Sequence, residues 1–178
     1  FYSMKLVKGR TLQSILNDLR HEDAAALRDY PLTHLLDIFR KVCDAIAFAH
    51  SKGVLHRDLK PDNVMVGEFG EVMVMDWGLA KRRNDETQMP SDEPEEALSF
   101  AIQNPSFSGT LHGSVLGTPQ YMSPEQARGQ IDALDARADI YALGGILYAI
   151  LTLRPPVEGA TPEEVLSKVT SGQIIAPS

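Results

Sequence analysis

The sequence predicts a mainly α fold that carries one small β hairpin, and three patterns lead to this fold class. Apolar residues recur at helical spacing over residues 31–49, and residues 140–153 form a second, almost continuous apolar stretch. Two short runs rich in valine and methionine flank a glycine-containing turn within residues 64–75, which is typical of a hairpin. With 178 residues, the chain is long enough for one domain with a buried core.

The N-terminal residues predict a strand followed by a short helix. Residues 1–8 suit a strand that ends at Gly9. Thr11 is a favourable N-cap residue, because its hydroxyl can accept a hydrogen bond from an amide of the first helical turn. It predicts a helix that runs to about Arg20. Residues 21–29 are charged and rich in alanine, and we expect them to form a surface extension of this region.

A longer helix is predicted from Pro31 onward, with one buried face. Gly53 supplies a C-terminal glycine signal that ends it. Cys43, the only cysteine of the chain, fits this face as a small core residue better than as a redox site. The apolar residues that define the face are Leu32, Leu35, Leu36, Phe39, Val42, Cys43, Ile46 and Ala49.

The second half of the chain predicts two further helices. The stretch from Asp139 to Leu153 is apolar almost all round, so we expect a helix in the middle of the fold. A last helix is expected to start with Thr161 as N-cap, Pro162 at the first helical position and Glu164 three residues after the cap.

Residues 84–96 form an acidic segment that contains proline and few apolar residues. Such a segment cannot bury much apolar surface. It is interpreted as a solvated insertion, with a regulatory docking segment as the alternative.

Composition limits the classes of partner. The net charge of −7 argues against a nucleic-acid-binding protein. The longest apolar run, residues 140–153, is too short to span a bilayer, so we expect no membrane contact within this chain. The expected location is the cytoplasm, although a longer parent protein could be anchored through a segment outside this chain.

The most informative stretch is His56–Asn63, which reads H-R-D-L-K-P-D-N. It places a candidate proton acceptor, a cation and a metal-binding amide within eight residues. Phosphoryl transfer needs these three kinds of group. The motifs Asp76-Trp77-Gly78 and Ser123-Pro124-Glu125 follow in the order typical of protein kinases. Together these residues make the octapeptide a specific signal.

With these motifs, the chain resembles the bacterial serine/threonine protein kinases built on the eukaryotic pattern. The segment 117–129, G-T-P-Q-Y-M-S-P-E-Q-A-R-G, is similar to the bacterial form of their substrate-facing loop. The resemblance covers about residues 2–169. It implies that the whole chain, residues 1–178, is a partial kinase domain.

The resemblance also implies a division of the chain. Residues 1–9 correspond to the last small-lobe strand and the hinge, and residues 10–178 to the large lobe with an activation segment at 76–125. The Gly-rich loop, strand Lys and helix Glu of the family's small lobe are absent from the sequence. We therefore expect the small lobe to pack on this chain in the parent protein, and the isolated chain to have negligible kinase activity.

The resemblance implies roles for the residues of the octapeptide and for those that follow. Asp58 would accept or orient the proton of the substrate hydroxyl, and Lys60 would contact the transferred phosphate of ATP. Asn63 and Asp76 would bind Mg²⁺. Thr118 would bond Asp58 and Lys60, as in serine/threonine kinases.

The expected cofactors are ATP and Mg²⁺. By resemblance, adenine would bond to the backbone carbonyl of Lys5 and the backbone amide of Val7. Met4 would stand at the back of the nucleotide pocket, and Met65 would pack under the ring.

Other residues near the motifs receive structural or regulatory roles. Arg57 would pair with a phosphate on the activation segment, with Thr110 and Ser114 as candidate phosphorylation sites. His56 is expected to pack beneath Trp77 instead of acting as an acid or base. Asp139 would cap the backbone of the catalytic loop, and an N-cap role at the start of the central helix is compatible with this.

The predicted function is ATP-dependent phosphorylation of serine or threonine in protein substrates. One alternative is a kinase-like scaffold without catalysis, which the presence of Asp58, Lys60, Asn63 and Asp76 argues against. Another is a small-molecule phosphotransferase. The segment 117–125, with Thr118, favours a protein substrate over that alternative.

Overall fold

The computed structural model of the protein describes residues 8–77, 81–82, 119–130 and 134–177. Several predictions from the sequence fall outside these residues. They are the strand over residues 1–8, apart from its last residue, the acidic segment 84–96, and the proposed roles of Met4, Lys5, Val7, Thr110, Ser114 and Thr118.

Helices dominate the described residues, which confirms the mainly α prediction. The helices are α1 (Leu12–Arg20), α2 (Ala24–Asp29), α3 (Leu32–Ser51), α4 (Pro124–Ala127), α5 (Ala136–Thr152) and α6 (Pro162–Thr170). The strands are β1 (Arg10–Thr11), β2 (Val54–Leu55), β3 (Val64–Val66), β4 (Val72–Val74) and β5 (Lys81–Arg82). Short 3₁₀ turns lie at Pro61–Asn63 and Pro119–Tyr121.

The predicted hairpin is present as β3 and β4. Val64 pairs with Val74 and Val66 with Val72 in antiparallel register. The turn closes through the amide of Gly67, which donates to the carbonyl of Glu71 at 2.8 Å. On its other side β3 pairs with β1, so that the sheet has the order β1-β3-β4.

A second ribbon, between β2 and β5, was not predicted. Strands of two residues carry no alternation that a sequence reading could detect.

Helix α1 forms where its cap predicts it. The Thr11 hydroxyl accepts a hydrogen bond from the amide of Ser14 at 3.1 Å. The buried residues of α1 fall at positions i, i+3, i+4 and i+7, which places them on one face. They are Leu12, Ile15, Leu16 and Leu19.

The segment 21–29 lies mostly on the surface, as expected, but it also contains a helix. Its last six residues form α2, and the carboxylate of Asp23 accepts hydrogen bonds from the amides of Ala25 and Ala26 at the helix start. Ala26 is buried. The prediction missed this helix because six residues hold too little periodicity.

Helix α3 has the expected length, but part of its predicted buried face is wrong. Leu32 and Leu36 are 50% and 39% exposed. Leu32 lies in the first turn, and Leu36 lies about 100° around the helix from the buried Leu35. The buried stripe consists of Leu35, Ile38, Val42, Ile46 and Ala49.

Two expectations at the C-terminal half of α3 are confirmed. Gly53 follows the helix at φ 72°, and its amide donates to the carbonyl of His50 at 3.0 Å. Cys43 packs at the edge of the core, and burial raises the pKa of its thiol.

Helix α5 begins earlier than predicted and is not buried all round. Asp135 is the N-cap and accepts from the amide of Arg137 at 2.8 Å, so the N-cap interpretation of Asp139 is wrong. Ile140 and Leu151 are each 56% exposed. The helix therefore crosses the fold with one face in the core and one on the surface.

Helix α6 starts as predicted, with one difference in its cap. The Thr161 hydroxyl accepts from the amide of Glu164, as expected. The carboxylate of Glu164, however, accepts from the amide of Ala160 at 2.8 Å and not from that of Thr161. It also pairs with Lys168, four residues on, at 2.6 Å.

The core lies where α1, α3 and α5 meet the hairpin and the turn at Tyr121. A smaller cluster joins α6 to the end of α4 through Val157, Val165, Val169 and Ala127. Among the helices that the structure describes, none is both long and apolar enough to cross a membrane.

The neighbouring glycines of α5 provide a test of this packing. A β-carbon added at Gly144 would meet no atom within 4 Å, whereas one added at Gly145 would lie 3.0 Å from Cδ1 of the buried Tyr121. We expect Gly144→Ala to raise the free energy of unfolding by about 0.5–1 kcal/mol through helix propensity. Gly145→Ala should lower it by about 1–3 kcal/mol through overpacking. Urea unfolding of the purified protein measures both, and equal effects would contradict the packing.

Candidate active site

Asp139 holds the backbone at the start of the octapeptide. Its side chain is 1% exposed and reaches the loop from the first turn of α5. Oδ2 accepts a hydrogen bond from the amide of His56 at 2.9 Å, and Oδ1 accepts one from the amide of Arg57 at 2.8 Å. The predicted backbone cap is confirmed.

His50 adds a third donor that the sequence analysis missed. Its Nε2 lies 2.7 Å from Oδ2 of Asp139. Because a carboxylate only accepts hydrogen bonds, Nε2 carries the proton of this bond. The contact joins α3 to α5 behind the loop. Nothing in the local sequence signals it, since the two residues are 89 positions apart.

His56 is a structural residue, as predicted. It is fully buried, and its ring centroid lies 4.5 Å from that of Trp77. Its Nε2 donates to the carbonyl of Met75 at 2.9 Å, while Nδ1 accepts from the amide of Asp58 at 3.2 Å. A ring with one donor and one acceptor nitrogen is a neutral imidazole.

The structure brings Asp58, Lys60 and Asn63 together. Oδ2 of Asp58 accepts from the ammonium of Lys60 at 2.9 Å and from Nδ2 of Asn63 at 3.0 Å. Nδ2 of Asn63 also donates to the backbone carbonyl of Asp58 at 2.7 Å. Among the described residues, no donor bonds the other carboxylate oxygen of Asp58, Oδ1. One oxygen is therefore held, and the other is available to a further donor.

Asp76 lies two residues after the end of β4, and the residue before it contacts this cluster through its backbone. The amide of Met75 donates to the carbonyl of Asn63 at 2.8 Å, which ties the residue before Asp76 to Asn63. Trp77 donates from Nε1 to the carbonyl of Val74 at 2.9 Å. Asp76 itself has φ 60°, a backbone conformation that residues other than glycine seldom adopt, and is exposed.

The donor set of Asn63 and Asp76 fits a magnesium ion. The amide nitrogen of Asn63 faces Asp58, and its carbonyl oxygen accepts no hydrogen bond from the described residues. Amide and carboxylate oxygens are hard ligands of the kind that Mg²⁺ prefers. Mg²⁺ is usually held by one or two carboxylates with waters and phosphate oxygens, and one amide with one carboxylate agrees with that pattern.

Met65, for which the sequence analysis predicted a place under the adenine ring, lies on β3. It is half-buried and pairs with Thr11 and Met73.

Arg57, which precedes Asp58, has an unusual backbone conformation and a buried side-chain nitrogen without a partner among the described residues. The backbone φ is 69°, and the buried nitrogen is Nε. Its carbonyl accepts from Nε2 of Gln126 at 2.6 Å, a contact that the sequence analysis also missed.

A cleft of about 240 Å³ opens beside the octapeptide. Asp62, Tyr121, α1 and the end of α5 line it, with Arg20 and Arg154 among the lining residues. Burial, followed by the charge of Asp62, raises the pKa of the Tyr121 phenol. The phenol therefore stays protonated at neutral pH.

Comparison with known proteins identifies a family for this arrangement. The sequence profile of the protein kinase domain matches residues 2–176. Serine/threonine-protein kinase PknD of Protochlamydia amoebophila is 41% identical over 171 residues, which cover 92% of this chain and 16% of that protein. PknD of Chlamydia trachomatis serovar D is 41% identical over 160 residues (88% and 17%), and PknD of Chlamydia felis 36% over 184 residues (99% and 19%). The chain thus spans less than a fifth of the length of these curated relatives.

The Asp139 cap predicts a large effect of a small substitution. Asp139→Asn removes the charge and replaces one acceptor oxygen with a donor that faces buried N–H groups. We expect the free energy of unfolding to fall by about 2–4 kcal/mol. Asp135→Asn removes the same charge from the exposed N-cap of α5 and should change it by less than about 0.5 kcal/mol, since Asn caps equally well. Chemical denaturation compares the two, and equal losses would contradict the role of Asp139.

Proposed function

This chain belongs to the protein kinase domain family, and we propose that the intact protein transfers the γ-phosphate of ATP to serine or threonine hydroxyls of protein substrates. The observation that carries the proposal is the convergence of Lys60 and Asn63 on one oxygen of Asp58. That arrangement orients a carboxylate, a cation and an amide within one small region. Phosphoryl transfer depends mostly on such positioning and electrostatic stabilisation.

Asp58 is proposed to receive the substrate hydroxyl. Its Oδ2 is occupied by Lys60 and Asn63, so Oδ1 is the oxygen that can accept the hydroxyl proton. The two donors also fix the rotation of the carboxylate. Asp58 thus holds the hydroxyl in one orientation and takes its proton as the new bond to phosphorus forms.

Lys60 is proposed to stabilise the charge of the phosphate being transferred. Its ammonium lies 2.9 Å from Asp58 and its side chain as a whole is 16% exposed, so the charge stays close to the acceptor oxygen. A partly desolvated cation interacts more strongly with a developing negative charge than one in bulk water does. Family resemblance further links a lysine at this position to serine or threonine as the acceptor.

Asn63 and Asp76 are proposed to hold Mg²⁺ through their side-chain oxygens. The ion would supply positive charge that neutralises part of the negative charge of the phosphate groups. The backbone hydrogen bond between Met75 and Asn63 keeps the two proposed ligands, Asn63 and Asp76, in neighbouring segments.

The remaining assignments follow family resemblance. Residues 1–9 are proposed as the last small-lobe strand and hinge, with Met4, Lys5 and Val7 at the adenine, and residues 10–178 as the large lobe. Met65 would pack under the adenine ring, and Thr118 would bond Asp58 and Lys60. The proposed location is the cytoplasm.

Two aspartate substitutions in the intact protein separate the proposed roles. Asp58→Asn should lower the single-turnover rate about 10²- to 10⁴-fold while nucleotide affinity stays nearly constant. Asp76→Asn should lower both the rate and the affinity for Mg²⁺-ATP, because it removes a metal ligand. Asp44→Asn, an exposed charge on α3, is the control. An unchanged chemical step in Asp58→Asn would refute the role given to this residue.

We also propose that phosphorylation near Thr110, with Ser114 as the second candidate, activates the protein. The support is Arg57, whose Nε is buried and lacks a hydrogen-bond partner among the described residues. A phosphate carries between one and two negative charges near pH 7 and forms charge-assisted bonds with arginine.

The activation proposal is tested by phosphosite mapping of the autophosphorylated protein and by alanine substitution. Thr110→Ala with Ser114→Ala should strongly reduce activity toward a protein substrate, whereas either change alone leaves the other acceptor. Full activity of the double variant, or phosphates confined to residues 84–96, would contradict the proposal.

A further inference from the structure

The side-chain amide of Gln126 makes two hydrogen bonds, one as an acceptor and one as a donor. Its Oε1 accepts a hydrogen bond from the amide of Ser123 at 3.1 Å, which closes the capping box of α4. Its Nε2 donates to the carbonyl of Arg57 at 2.6 Å. Only one orientation of the amide satisfies both contacts, because an N–H needs the oxygen and a carbonyl needs the nitrogen.

The contact with Arg57 completes the restraint of a single peptide group. The carbonyl of Arg57 and the amide of Asp58 belong to the same planar unit. Gln126 holds its carbonyl, and Nδ1 of His56 accepts from its amide at 3.2 Å. The peptide plane immediately before Asp58 is therefore fixed at both ends.

The restraint matters because the backbone here is held in an unfavourable conformation. Arg57 has φ 69°, and Asp139 holds its amide at 2.8 Å. A residue with a side chain keeps such a conformation only when its surroundings enforce it. Without a donor on the carbonyl, the plane keeps only the restraint at its amide, and any rotation of the plane would also move the carboxylate of Asp58.

We propose that Gln126 is a positioning residue for the phosphoryl-transfer reaction, acting through the Arg57–Asp58 peptide. It joins the turn at Ser123 to the catalytic loop, 69 residues earlier in the chain. The role rests on the proposed kinase function, and it differs from a merely structural role in capping α4. Gln126 touches no reacting atom.

Two substitutions separate the positioning role from the capping role. Gln126→Glu keeps an oxygen that can accept from Ser123, since glutamate also completes a capping box, but it has no donor for the carbonyl of Arg57. Gln126→Met removes both contacts without adding a charge. Gln130→Glu, an exposed glutamine four residues on, is the control for the charge change.

The experiment measures phosphorylation kinetics of the intact protein and amide hydrogen exchange over residues 56–60. Positioning predicts that Gln126→Glu and Gln126→Met both lower kcat about 10- to 100-fold, with KM for ATP and peptide within about twofold of the unsubstituted protein. Both should also accelerate exchange over residues 56–60 but not over residues 136–152. Gln130→Glu should change neither quantity.

A capping role alone predicts a different pattern, in which Gln126→Glu behaves as the unsubstituted protein and only Gln126→Met is impaired. That result would overturn the proposal, as would unchanged exchange over residues 56–60 in both variants. If the unsubstituted protein phosphorylates no protein substrate, the proposed function fails. The exchange measurement still decides whether Gln126 fixes the peptide.

Discussion

The buried carboxylate of Asp139 is the interaction on which the rest of the site depends. It accepts hydrogen bonds from the amides of His56 and Arg57 and from the ring of His50. A buried charge is tolerated only when hydrogen bonds satisfy it, and buried N–H groups are costly without an acceptor. Here the buried carboxylate and the buried N–H groups satisfy each other. Because α3 and α5 pack in the core, the carboxylate transmits the rigidity of the core to a loop without secondary structure of its own.

The side chains proposed for catalysis are placed by a backbone that would not adopt this form alone. Arg57 is held at φ 69° by Asp139 on its amide and by Gln126 on its carbonyl. Asp58 then meets Lys60 and Asn63 through a single carboxylate oxygen. In such a site, the geometry is set before any ligand binds, which is the condition under which electrostatic stabilisation is most effective. The site thus consists of a loop whose backbone is held in place by residues of neighbouring helices.

The sequence predicted those features whose causes are local. Thr11 and Thr161 cap their helices as expected, because a cap involves residues at most three positions apart. The hairpin was recognisable from two runs around a turn. The errors arose where a local sequence pattern is compatible with more than one buried face or helix start. Leu32 and Leu36 lie near the apolar stripe of α3 but outside it. Asp139 is a residue type that often caps helices, but it is not the N-cap of α5, because this helix begins three residues earlier.

The sequence by itself determined which reactive groups are present and in what order, because the octapeptide places Asp58, Lys60 and Asn63 within one short segment. It also determined the helices whose periodicity and caps are contained in their own residues. Only the tertiary structure decided what holds the loop. His50 and Gln126 reach it across 89 and 69 positions of sequence, through the packing of α3 on α5 and the turn at Ser123. Propensity and capping act over a few residues, whereas a hydrogen bond between distant segments exists only after packing has brought its donor and acceptor together.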